Sequence, residues 1–161
     1  MKLTWRWKGI LIFLLFAGME IGDLTGLLAC FSNIDLYTQT TGVSEQDQYW
    51  RLVILSLLAL GIVLSSLFTA FNLWRRRPLT KISATVTVIL FALYGLFQII
   101  SALIQLETNQ ALVAFLGVIY ILLGSTCQWL GSKAGDELQA WQAANNPRRT
   151  VASKSRPVSR K

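Results

Sequence analysis

Apolar residues come in four long runs, at about residues 9–31, 52–74, 82–104 and 110–131, separated by shorter polar stretches. A helix needs about 20 predominantly apolar residues to cross the hydrocarbon core of a bilayer, and every run is long enough. The strands of a membrane barrel are about 10 residues long and alternate apolar with polar positions, which these continuous runs do not. The pattern therefore predicts an all-α chain, a four-helix transmembrane bundle. Residues 1–146 form the bundle with a helical extension past its fourth span, and 147–161 form a basic disordered tail.

Polar residues inside the runs add faces to these helices. At 100° per residue, Glu20 and Asp23 share one side of the first span with Phe16, Leu27 and Cys30, whereas Gly18, Gly22 and Gly26 drift along roughly the opposite side. Glycines at this spacing let another helix approach closely, so they are candidate helix-packing residues. In the third span Thr87, Tyr94, Gln98, Ser101 and Gln105 fall on one face, which is expected to look into the bundle. The second span carries Gly61, Ser65, Thr69 and Asn72 along one side, with hydroxyls able to bond back to their own helix. Gly117, Tyr120, Gly124, Gln128 and Gly131 cluster on one side of the fourth.

Depth connects two of these faces. Counting 1.5 Å per residue from the nearest basic anchors places Glu20 about 18 Å beyond Lys8 and Tyr94 about 20 Å beyond Lys81. Asp23 and Gln98 fall at about 23 and 26 Å. Glu20, Asp23, Tyr94 and Gln98 are thus a candidate intramembrane polar site, with Glu20 opposite Tyr94 and Asp23 opposite Gln98. The apolar interior holds no Lys or Arg to neutralise the acids. One of them is therefore expected to carry a proton and donate a hydrogen bond, or the pair to bind protons or cations reversibly.

Charge changes the picture by giving it a direction. Of the 15 Lys and Arg residues, 14 fall on one side of the four spans: Lys2, Arg6 and Lys8, then Arg75, Arg76, Arg77 and Lys81, then seven from Lys133 onward. Only Arg51 lies on the other side, where the loops carry Asp35, Glu45, Asp47 and Glu107. Positive residues flanking spans stay on the cytoplasmic side, so both termini are expected there, and the net charge of +7 reflects topology rather than nucleic-acid binding. Trp5, Trp7, Trp50, Trp74 and Trp129 mark the span ends, where an amphipathic ring is best placed. Arg75, Arg76, Arg77, Arg148 and Arg149 are candidate contacts for anionic lipid headgroups or a protein partner.

The connections follow the same logic. Residues 32–50 are expected to be the one sizeable outer loop, Pro78 stops the second helix, and the short stretch 105–109 forces a hairpin between the third and fourth. Leu27-Leu28-Ala29-Cys30 is similar to a lipoprotein cleavage box, yet the run before it is longer than the 7–15 residues of a signal sequence and holds two acids. It is read as a retained span. Cys30 and Cys127 lie at opposite ends of their spans, and the chain has no histidine, so no disulfide, metal site or redox pair is expected.

A central glutamate in the first of four spans resembles the small multidrug transporters, on Glu20 and Gly22 alone. The resemblance implies proton and cation handling at Glu20. This chain departs from them in its greater length, longer outer loop and one-sided charge. Membrane glutathione transferases are similar in length, basicity and span number but differ in an interior Glu-Arg set that this chain lacks. With no nucleophilic, metal or cofactor constellation, no enzyme activity and no cofactor are expected. The leading expectation is a structural or accessory subunit of a larger membrane complex, binding a protein partner or a second copy of itself. A proton-coupled or cation-handling small transporter or channel is the alternative.

Overall fold

A computed structural model describes residues 4–41, 44–104 and 110–145. Gln105 with the stretch 105–109, and the tail with Arg148 and Arg149, lie outside the described residues. The described chain is helical: α1 (Trp5–Ser32), α2 (Ile34–Thr41), α3 (Glu45–Trp74), α4 (Thr80–Ile104) and α5 (Gln110–Asn145). All but α2 are long and apolar enough to cross a membrane. They pack in a ring, α1 on α3, α3 on α4, α4 on α5 and α5 back on α1. Its core is Ile10, Phe13, Phe16, Leu55, Ile62, Leu73 and Phe91, while Leu11, Leu15, Leu57, Leu64, Leu103 and Leu122 point outward. Apolar side chains on the outside as well as the inside are what a lipid-facing bundle requires.

The outer connection is shorter than the polar composition of 32–50 suggests. Ser44 caps α3, its hydroxyl accepting from the Asp47 amide at 3.2 Å and donating to the Asp47 carboxylate at 2.6 Å, so the helix begins at Glu45. Ile34–Thr41 also coils into a helix of eight residues, with Asp35 in its first turn. A helix this short is marginal alone. It is supported by packing on α3 and α1.

Close backbone approach is concentrated at α4 and α5. Gly117, Gly124 and Gly131, spaced by seven, face Gly95, Phe91 with Val88, and Ala84 of the antiparallel neighbour. A Cβ on Gly95 would collide with the Gly117 carbonyl, and one on Gly131 with the Ala84 methyl. Gln128, on the same nominal side, is exposed, because the seam is narrower than the cluster read from sequence.

At the basic end, α3 closes with the carbonyl of Asn72 accepting from the Arg77 amide at 2.9 Å and that of Leu73 from the Arg76 amide at 3.4 Å. This is a Schellman closure. Arg76 takes its left-handed position at φ 54°, costing roughly 1 kcal/mol for a residue with a Cβ. The end of α5 braces that turn: Gln142 Nε2 donates to the Arg76 carbonyl at 3.0 Å, and the Arg76 guanidinium lies 4.2 Å from the Trp141 ring. Lys81 pairs with Asp136 at 2.8 Å, and the Arg6 amide donates to Glu137 at 3.1 Å. The polar extension therefore lies against the turn and the start of α1 instead of simply projecting away. Exposed pairs of this kind contribute up to about 1 kcal/mol each, so the packing of the extension matters more than its charges.

Candidate functional site

Three helices bring the acids and phenols together. Glu20 is fully buried, and its carboxyl oxygens accept no hydrogen bond from a described residue. One turn further, Asp23 is exposed at the bundle surface, and its Oδ2 accepts from the Tyr94 hydroxyl of α4 at 3.5 Å and from the Tyr120 hydroxyl of α5. The phenol rings lie 4.4 Å apart, and Phe91 closes the group at 5.6 Å from Phe16 and 5.9 Å from Tyr120. An aromatic cluster of Phe16, Phe91, Tyr94 and Tyr120 thus meets Asp23 at the bundle edge, one turn from the buried carboxyl group of Glu20.

The expected pairing is shifted along the helices. Asp23, not Glu20, takes the Tyr94 hydroxyl, while Gln98 interacts with that hydroxyl from one turn along its own helix. Tyr120 joins the site as a residue of a third helix, outside the expected set of Glu20, Asp23, Tyr94 and Gln98. Counted from Lys133 it lies about 20 Å deep, level with Glu20 and Tyr94. Thr87 and Ser101 are buried on the same face of α4, as the spacing predicts. On α3, Ser65 donates to the Ile62 carbonyl at 3.1 Å and Thr69 to the Ser65 carbonyl at 2.8 Å, so these hydroxyls are satisfied by their own helix.

The other side of α1 is open. A Cβ added at Gly18, Gly22 or Gly26 would meet nothing within 4 Å, and Glu20 is the last buried residue of α1. The second half of this helix is tied to the bundle by Asp23, by half-buried Leu24 and Leu27, and by Phe31, whose ring lies 5.6 Å from that of Tyr49. Cys30 and Cys127 are free thiols. No group of three metal-ligating side chains occurs among the described residues. Comparison with known proteins returns no match, whether against protein-family models, curated proteins or solved structures. The geometry therefore carries the functional argument alone.

Two chemical capacities follow. A helix face without side chains can take a second helix at close range. A buried carboxyl group that accepts no hydrogen bond from a described residue, one turn from an exposed carboxylate, can take up a proton or a small cation.

Proposed function

We propose that this is a small multi-pass integral membrane protein with both termini in the cytoplasm, acting as a structural or accessory subunit of a larger membrane complex. The observation that supports it is the open α1 face: three glycines at helix-packing spacing that no described residue covers. The partner helix lies along Gly18, Gly22 and Gly26. Purification in mild detergent at native expression level, with a mass readout of what stays bound, tests the reading. Gly22→Leu is expected to lose the partner while leaving the isolated chain as stable as before, since no atom lies within 4 Å of the added Cβ. Unchanged co-purification of that variant would sink the docking model.

The buried carboxyl group of Glu20, which accepts no hydrogen bond from a described residue, supports a second reading, a proton- or cation-handling protein that works through Glu20 and Asp23. A homo-oligomer recovered without other proteins would shift the weight to it.

Orientation has its own test. In a background with Cys30 and Cys127 changed to Ser, a membrane-impermeant thiol reagent added to sealed cells is expected to label Thr40→Cys and to spare Ser153→Cys. Labelling of the second would reverse the topology.

A further inference from the structure

A groove runs between α3 and α4 on the outside of the bundle, with a cavity volume of about 590 Å³. Its walls are Gly61, Leu64 and Phe68 of α3 and Leu79, Val86 and Leu90 of α4. The two hydroxyls that line it are already committed, Ser65 to the Ile62 carbonyl and Ser83 to the Thr80 carbonyl, so the surface it presents is hydrocarbon. From Leu79 to Leu90 the groove is about 16 Å long at 1.5 Å per residue, half of a hydrocarbon core of about 30 Å. It therefore matches the depth of one leaflet.

What lies at its mouth sets the headgroup. Leu64, Phe68, Phe71 and Arg75 follow one another on a single face of α3, at steps of four, three and four residues. Over the exposed ring of Phe71 stand two guanidinium groups, Arg75 at 5.6 Å and Arg77 at 5.5 Å from its centroid. Neither makes an ion pair with a described residue, whereas the nearby acids are engaged, Asp136 by Lys81 and Glu137 by the Arg6 amide. The Schellman closure fixes the turn that carries both. Two exposed guanidinium groups that pair with no described acid, on the turn at the end of a leaflet-deep hydrocarbon groove, match a phosphodiester joined to an acyl chain.

We propose that the α3–α4 groove is a specific site for one anionic glycerophospholipid, its acyl chain between Phe68 and Val86 and its phosphate between Arg75 and Arg77. The site rests on the membrane reading given above and is independent of the partner and of the acid pair. It acts as a selective anchor for the leaflet on the basic side.

The test uses the full chain, extracted in mild detergent and offered equimolar phosphatidylglycerol and phosphatidylcholine with identical acyl chains, with retained lipid counted by native mass spectrometry. One phosphatidylglycerol per chain is expected, preferred by about tenfold or more because two cations act on the headgroup. The double variant Arg75→Gln with Arg77→Gln is expected to reduce that preference to about twofold or less. Val86→Trp, at an exposed position, fills the groove and abolishes retention; Ile82→Trp, also exposed, gives the same result if the first variant does not fold. Equal retention of the two lipids, or phosphatidylglycerol retention undiminished by a folded groove-filling variant, would overturn the site. Carbonate extraction of native membranes separates the two failures. A chain that stays in the pellet but keeps no phosphatidylglycerol ends this proposal alone, and a chain released by carbonate ends the membrane reading with it.

Discussion

Gly117→Leu is expected to destabilise the bundle by about 3 kcal/mol or more, at the top of the range for overpacking, because backbone stands where the new side chain must go. A Cβ on Gly117 would approach the Gly95 carbonyl oxygen to 2.5 Å, Ile99 Cγ1 to 2.7 Å and the Ile99 amide nitrogen to 3.2 Å. Ile99 can rotate, but the carbonyl and the amide belong to a helix and move only with it. Relief therefore requires α4 and α5 to separate along a seam that also holds Gly124 against Phe91 and Gly131 against Ala84. Reversible unfolding in mixed micelles measures the loss, with Gly22→Leu as the control that adds the same side chain to open space. Equal stability of the two variants would mean that the α4–α5 contact is not the tight one.

Glu20→Met is expected to do the opposite and raise stability by about 1–3 kcal/mol, the usual cost of leaving a buried polar group unsatisfied. Glu20 is fully buried, its carboxyl oxygens accept no hydrogen bond from a described residue, and methionine fills a similar volume without a group to desolvate. Unfolding of Glu20→Met beside Glu20→Gln measures the stability effect. A loss of more than about 1 kcal/mol on the methionine change would show that the carboxyl group is held by a favourable contact. Flux separates the two functional readings. A cation-handling protein loses pH-dependent flux in liposomes with Glu20→Gln, whereas an accessory subunit keeps its partner with that change and loses it only with Gly22→Leu.

Much of the architecture was legible along the chain because a bilayer imposes a length and a polarity that each helix must satisfy separately. The four apolar runs lie within α1, α3, α4 and α5. The polar face of α4 follows from spacing alone, and Thr87, Tyr94 and Ser101 are buried together as that spacing requires. Ile34–Thr41 was read as loop because its composition is polar, and composition does not report the neighbouring helices that steady a short helix.

Gly18, Gly22 and Gly26 show where reading along the chain runs out. Their spacing marks a face suited to close packing, and so does that of Gly117, Gly124 and Gly131, yet only the second set is used inside the bundle. Periodicity tells which residues share a face of one helix and nothing about which helix, if any, that face meets. The same limit explains Tyr120, whose depth follows from the sequence but whose contact with Asp23 depends on α5 closing the ring beside α1. The sequence by itself determined the four long apolar helices and the place of the acid pair within the first of them. Only the tertiary structure decided which small faces interlock, which carboxyl group accepts no hydrogen bond from a described residue, and that a hydrocarbon groove opens between α3 and α4, because each depends on the rotation of one helix against another.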